Sequence, residues 1–280
     1  MASPLLIDVV TLFPEMFSGA LEHSILARAQ ASGIARIALH DLRSHGIGPH
    51  RQVDDAPFGG GGGMVLKPEP LFACVESITG RPAGARAAGE AVILLTPAGE
   101  PFDQACARRL AGMERLVIVC GRYEGVDERV RTTLATEAVS VGDFVLSGGE
   151  PAALCVIDAV VRLLPGALGN PEGSVTESHE DGLLEAPHFT RPASFRGLPV
   201  PEPLLSGNHA GIALWRRHES LRLAARLRPD LIERARAKGQ LSRADEAFLH
   251  TLSGEDGPSA TEGDPSPSGE TDAAAPRPAA

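Results

Sequence analysis

Aromatic side chains are scarce in this chain. They make up 4% of its 280 residues, with one Trp and one Tyr. The core must therefore be filled by aliphatic groups, and a 43% hydrophobic content supplies them. Cysteine is sparse as well. Cys74, Cys106, Cys120 and Cys155 stand far apart with no paired spacing. That excludes a zinc signature and a disulfide framework, and it indicates a reducing, intracellular, cytoplasmic setting. Long apolar runs are absent too. The apolar start, MASPLLIDVVTLFPEMF, has no basic flank before it and is interrupted by Pro14 and Glu15, so neither a signal peptide nor a membrane helix is expected.

Several nucleotide and hydrolase motifs are missing. No G-x-x-x-x-G-K-[ST] occurs, and the five successive glycines Gly59 to Gly63 follow no strand and precede Met64, which makes a poor phosphate loop. The first strand leads into Phe13-Pro14 rather than G-x-G-x-x-G, which argues against a nicotinamide Rossmann domain. No nucleophile elbow G-x-S-x-G is present, and the histidines lack metal-ligand spacing.

A formal charge of -10 argues at first against a nucleic-acid partner, but the charge is unevenly spread. From Ser253 onward six acids face the single base Arg277, so this stretch carries half of the imbalance. It also lacks apolar anchors and reads as a disordered acidic tail, 253–280. From His209 to His250 nine Lys and Arg residues outnumber five Asp and Glu, which makes the segment locally basic. Clustered charge matters more than total charge for phosphate binding.

Apolar runs at Ile7–Phe13, Ile34–Leu39, Ala91–Leu95, Leu116–Cys120 and Ala138–Val141 predict strands. Helical patterns lie at Pro14–Ala31, Pro68–Ser77, Asp103–Met113 and Glu150–Leu164, then at Ala210–Leu227, Pro229–Ala237 and Arg243–Leu252. Strands alternating with helices imply an α/β fold with a mainly parallel sheet covered on both faces. Asp41–Met64 reads as a long irregular loop. The stretch 166–203, rich in Gly and Pro, reads as an extended linker plus a functional loop. The expected organisation is a catalytic domain over 1–165, that linker, a helical domain over 204–252, and the tail.

Three strands end in loops bearing glycine or proline: Leu95-Thr96-Pro97, Cys120-Gly121-Arg122-Tyr123-Glu124, and Val141-Gly142 through Gly148-Gly149-Glu150. In a parallel sheet the carboxyl ends of the strands share one edge, where ligands bind. One such loop is an ordinary turn. Three on one edge indicate a site for a small molecule.

At these loops the chain resembles the bacterial tRNA (guanine-N1)-methyltransferases. The matching stretches, in order, are TLFPEMF (11–17), HRQVDDAPFGGGGGM (50–64), LLTPAG (94–99), VCGRYEGVDERV (119–130), SVGDFVLSGGEPAAL (140–154), PHFTRP (187–192) and LLSGNHAGIALWR (204–216). The resemblance implies a trefoil-knotted fold of the SPOUT type in the cofactor-binding half, where general chain topology leads to an unknotted sheet. It implies a homodimer with active sites shared between chains, and S-adenosylmethionine as methyl donor. The donor would lie against Leu94, Leu95, Thr96 and Pro97, against Gly121, Tyr123 and Glu124, and against Ser140, Val141, Gly142, Leu146, Gly148 and Gly149. A divalent cation, magnesium, is implied as well, although no ligand cluster in the sequence points to it.

The acceptor sets the chemistry. Neutral guanine carries a proton on N1, so that nitrogen has no free in-plane lone pair, and removing the proton drives negative charge onto O6. Such a site wants a carboxylate as base, a cation at O6, and close in-line placement. Arg162 sits in the apolar helix after the third loop. Read locally it pairs with Asp158 at i,i+4; by resemblance it serves O6. The family has an aspartate where this chain has Glu177, followed as in the family by Ser178. Glu177 is the preferred base, with Glu180 and Asp181 as alternatives.

By resemblance, Asp54, Asp55 and the run Gly59 to Gly63 belong to a loop facing base or cofactor. Ser206, Gly207, Asn208 and His209 open the tRNA-gripping helices, where Ser206 or Asn208 also suits an N-cap. Arg216, Arg217, Arg222 and Arg226 are the expected phosphate contacts. Two alternatives stay open at this point: a methyltransferase of similar fold acting on another RNA atom such as a ribose 2′-hydroxyl, and an inactive relative that binds tRNA.

Overall fold

The computed structural model describes residues 3–85, 87–168 and 177–255. The chain divides into two compact units, with the boundary between Asp181 and Gly182.

In the first unit the strands are β1 (Leu5–Thr11), β2 (Ala35–Asp41), β3 (Asp54–Asp55), β4 (Val65–Leu66), β5 (Glu90–Pro101), β6 (Arg115–Cys120) and β7 (Glu137–Ser140). The helices are α1 (Ser18–Leu21), α2 (Ser24–Ala31), α3 (Pro68–Thr79), α4 (Gln104–Ala111) and α5 (Glu150–Val161). Five strands form one sheet in the order β2-β1-β6-β5-β7, and every pairing in it is parallel.

Alternation along the strands explains why the sequence reads as unbroken apolar runs. Ile7, Val9, Ile93, Leu95, Leu116 and Ile118 point into one core with α2, α4 and α5. Val10, Val92, Leu94, Val117 and Val119 point into the other, with Leu71, Cys74 and Val75 of α3. A sheet buried on both faces has no polar face to alternate with. Each fully buried aliphatic side chain contributes about 1.5–3 kcal/mol of transfer free energy.

Three local expectations are corrected. The helix expected over Pro14–Ala31 is broken into a 3-10 turn at Pro14–Phe17, α1 and α2, with His23 extended between the last two. Phe17 and Leu21 are four residues apart, whereas Leu21 and Leu26 are five apart, so one straight helix would not aim all of them and Ala29 at the core they share. The loop expected over Asp41–Met64 contains a 3-10 turn at Leu42–His45, and its β3 pairs antiparallel with β4. Strand β5 does not stop at Leu95. It bulges outward over residues 96–99 and rejoins β7 at Glu100 and Pro101. Gly99 is required there, because a Cβ would collide with the backbone of Ala138 and Val139.

The second unit holds a hairpin of β8 (Ser194–Phe195) and β9 (Leu198–Pro199), then α6 (Glu202–Leu205), α7 (His209–Leu227), α8 (Pro229–Ala237) and α9 (Arg243–Glu255). The hairpin corrects the expected extended stretch. Its two turn residues, Arg196 and Gly197, both have positive φ, as a two-residue type I′ hairpin turn requires. Leu183, Leu221, Ala224, Leu231, Ile232, Ala235 and Leu249 close a separate core. Asn208 caps α7 by accepting from the Gly211 N–H at 3.2 Å. Part of the expected linker, 169–176, and the tail from 256 lie outside the described residues. No described helix is long and apolar enough to cross a membrane.

Asp245 ties α9 to α7. It accepts from Arg217 Nε at 3.0 Å and Nη2 at 3.1 Å, and from the Ser242 N–H at 2.8 Å. The Arg217 hydrogen bonds, helped by Ser242, hold its carboxyl at about 2, against an ordinary 3.8. The unfolded chain therefore takes up this proton at a higher pH than the folded one. The stabilisation is fully present above pH 3.8 and is lost as pH falls toward 2. Circular dichroism melts followed across that window should show a falling midpoint, and Asp245→Asn should flatten the fall.

Candidate active site

The three strand-end loops meet. Their residues line one cavity of about 240 Å³ at the carboxyl edge of β5, β6 and β7. From the first loop come Leu94, Leu95, Thr96 and Pro97; from the second, Gly121, Tyr123 and Glu124; from the third, Ser140, Val141, Gly142, Leu146, Gly148 and Gly149. The thirteen residues expected to hold the donor thus share one cavity.

Backbone contacts fix this arrangement. The Gly149 N–H donates to the Gly121 carbonyl at 2.8 Å, and Arg122 bridges Gly148 antiparallel. The second loop is also sewn to the chain beyond the glycine run: the Glu124 N–H donates to the Met64 carbonyl, and the Leu66 N–H to the Gly125 carbonyl, each at 3.0 Å. Tyr123 takes a left-handed backbone, φ 58°. Phe144 and Val145, on the third loop, line the cavity yet are 56% and 85% exposed.

Sequence reading missed a set of groups behind the wall. Glu150, at the start of α5, is 1% exposed. It accepts from Thr11 Oγ1 at 2.8 Å and pairs with Arg122 Nη1 at 3.3 Å. The Arg122 guanidinium also lies 4.6 Å from the centre of the Phe13 ring. Arg122, Ser147 and Ala152 line the cavity together with the expected residues. Arg122 stands between two residues already chosen, so its position in the loop was the available signal.

Arg162 does not form the helical pair with Asp158. Its guanidinium grips Glu177 in a fork, Nη1 to Oε2 at 2.5 Å and Nη2 to Oε1 at 2.6 Å. A planar guanidinium matches a carboxylate in this way. The Arg162 hydrogen bonds hold the Glu177 carboxyl below the usual glutamate range, and Glu177 in turn raises Arg162. Glu180 is engaged elsewhere, paired with Arg108 and accepting from Gln104 Nε2 at 2.7 Å. Neither Arg162 nor Glu177 lines the cavity.

In the first unit, Asp54, Asp55 and Gly59 are not among the residues that line the cavity. Asp54 and Asp55 form β3, where Asp55 pairs with Lys67 at 3.4 Å. Gly59 has positive φ in an exposed loop next to the fully exposed Phe58. In the second unit Ser206, Gly207, Asn208 and His209 are all exposed around the start of α7. Arg217 is committed to Asp245, and Arg222 to Glu219. Arg216 and Arg226 are exposed and form no ion pair among the described residues. No group of three or more His, Cys, Asp and Glu side chains that could hold a metal ion occurs among the described residues.

The family model described as tRNA (Guanine-1)-methyltransferase TrmD matches residues 5–234. A tRNA (guanine-N(1)-)-methyltransferase of Dehalococcoides mccartyi is 52% identical over 253 residues, which covers 90% of this chain and 98% of the relative. One of the same name from Chloroflexus aggregans is 54% identical over 242 residues, 86% of this chain and 93% of the relative. Another, from Anaeromyxobacter sp., is 55% identical over 238 residues, 84% and 94%. A match across most of its length, in step with relatives that share half of its residues, means that the chain belongs to the tRNA (guanine-1)-methyltransferase family.

Proposed function

We propose that the chain transfers a methyl group from S-adenosylmethionine to N1 of a guanosine in tRNA, at position 37 beside the anticodon as the resemblance implies. The observation that carries this reading is the convergence of three strand-end loops on one cavity. The fit to the donor is supported by the wall itself. Gly121, Gly148 and Gly149 let the wall loops close on one another, since a Cβ at each would meet atoms of its neighbours, and Leu94, Leu95, Val141 and Leu146 offer apolar surface to a flat base. When bound, S-adenosylmethionine supplies a methyl group activated by a sulfonium.

The Arg162–Glu177 fork suits the acceptor. Guanine presents an O6 acceptor beside an N1–H donor, so its edge can take the place of each partner: Arg162 donates to O6 and Glu177 accepts from N1–H. Adenine presents the reverse pattern, with no N1 proton to give. Glu177 then takes the N1 proton, Arg162 holds the charge that moves to O6, and the freed N1 pair accepts the methyl. The Arg162 hydrogen bonds lower the Glu177 carboxyl, so Glu177 meets the incoming base as a carboxylate.

Within one chain the fork and the cavity share no residue. A homodimer with sites built from both chains would bring one protomer's fork to the other's cavity, and the exposed Phe144 and Val145 on the cavity loop supply apolar surface for it. The trefoil knot belongs to the same reading and rests on the resemblance. Magnesium would have to draw on one or two carboxylates together with phosphate oxygens of the RNA.

The helices of 204–252 would hold the tRNA. Of the four arginines expected to contact phosphate, Arg216 and Arg226 form no ion pair among the described residues, whereas Arg217 serves the fold. Arg216→Ala and Arg226→Ala should each reduce the slope of log K against log salt by roughly 0.7–0.9 in tRNA binding. Arg217→Ala should show first as a lower melting midpoint.

The reading is tested by incubating the protein with unmodified tRNA and methyl-labelled donor, then digesting the RNA and identifying the labelled nucleoside. Label on guanine N1 supports it. Label on ribose supports the alternative acceptor, and tight tRNA binding without transfer supports an inactive relative.

A further inference from the structure

Arg122 places a positive charge in the wall of a cavity that, on the proposed function, must admit a cation. S-Adenosylmethionine carries one net positive charge from its sulfonium, amino and carboxylate groups, whereas the product, S-adenosylhomocysteine, carries none. A bare guanidinium at the wall would repel the donor and leave the product unaffected. Glu150 stands behind Arg122, almost wholly buried, with its other oxygen occupied by Thr11.

We infer that Glu150, acting through Arg122, sets the charge of the cavity so that it accepts a sulfonium ligand in preference to the neutral thioether. With Glu150 counted, Arg122 and the wall residue Glu124 leave one net negative charge around the space, complementary to the donor. Arg122 is held in place by two partners, the Glu150 carboxylate and the Phe13 ring at 4.6 Å, so its charge is fixed at the wall. Gly148 lies so close that a Cβ there would strike both Arg122 and Glu150, which leaves no side chain to shield the pair. The field of Glu150 also reaches Cys120, buried at the end of β6 next to the wall residue Gly121: burial pushes the Cys120 thiol well up, and Glu150 adds to the push. A buried charge acts over several ångströms with little screening. Glu150 and Arg122 are thus positioning and selectivity residues, distinct from the fork that handles the acceptor.

This inference rests on the cavity being the donor site, and the test separates the two. Binding of S-adenosylmethionine and of S-adenosylhomocysteine is measured by calorimetry for wild type, Glu150→Gln, Arg122→Met and the double variant. Glutamine keeps the acceptor for Thr11 and the shape of the side chain. Glu150→Gln is expected to shift the preference about ten-fold toward the neutral product, a ratio that corresponds to a charge at moderate effective dielectric. Arg122→Met should shift it the other way, and the double variant should return it toward wild type. Equal losses for both ligands in Glu150→Gln, or ratios that move in the same direction in the two single variants, overturn the inference and leave only a packing role. Should Glu150→Gln fail to fold, Arg122→Met decides alone, since an unchanged ratio there contradicts the charge argument. A wild-type protein that binds neither ligand removes the donor-site reading itself.

Discussion

Glu177→Gln is expected to slow methyl transfer to guanine N1 by about 100- to 10,000-fold, the range for loss of a positioned general base. Glutamine keeps the length and one acceptor oxygen but cannot take the N1 proton. Arg162→Met should cost roughly 100- to 1000-fold, because charge would develop on O6 with no cation facing it. The two side chains form one fork, so the double variant should be little worse than the more damaged single one. Neither change should greatly affect stability, since both side chains are about one quarter to one third exposed and an ion pair in that setting contributes little. Single-turnover rates with saturating donor separate chemistry from binding. An unchanged rate in Glu177→Gln would remove Glu177 as the base. Glu180→Gln provides the contrast. It loosens Arg108 and Gln104, so its expected effect is on the melting midpoint.

Gly149→Ala should weaken donor binding by roughly 5- to 150-fold, the equivalent of the 1–3 kcal/mol typical of overpacking. A Cβ at this position would lie 2.8 Å from Cys120 Cα and 3.0 Å from Gly121 N, both backbone atoms that cannot rotate away. The second and third cavity loops would have to part, and the 2.8 Å hydrogen bond between Gly149 and Gly121 would lengthen or break. Gly19→Ala, in α1, is the matched control, because a Cβ there meets nothing within 4 Å. Calorimetric titration with S-adenosylmethionine should leave Gly19→Ala near wild type. A Gly149→Ala protein that binds normally would show that contact between the loops is not needed.

These expectations also mark what the sequence made legible. The sheet strands were readable because burial on both faces leaves Val, Ile and Leu in unbroken runs, and because glycine or proline closes four of the five, the edge run Ile34–Leu39 excepted. The three cavity loops followed, since parallel strands deliver their carboxyl ends to one edge, while the individual residues within them came from the resemblance. The features that escaped are those whose cause lies far along the chain. Thr11 and Glu150 meet across 139 residues, and nothing near either one announces the pair. Arg162 has an acid at i-4, so a local reading favours Asp158, while the fold supplies Glu177 fifteen residues on. Thr96-Pro97 looks like the end of a strand, because a proline cannot continue the ladder; the chain instead bulges and resumes pairing at Glu100. The Arg196-Gly197 turn was hidden by surrounding prolines that suggest extension. The knot came from family resemblance, since neighbouring strands and short connections favour the unknotted alternative.

The most direct measurement is a crystal structure of the protein with S-adenosylmethionine bound. The expected result is an adenosyl moiety seated among Leu95, Gly121, Tyr123, Val141 and Gly149, with its methyl group open toward a Glu177 carboxylate and an Arg162 guanidinium. Density for the ligand at any other place, with no acid within reach of the methyl, contradicts both the donor cavity and the proposed route of the proton.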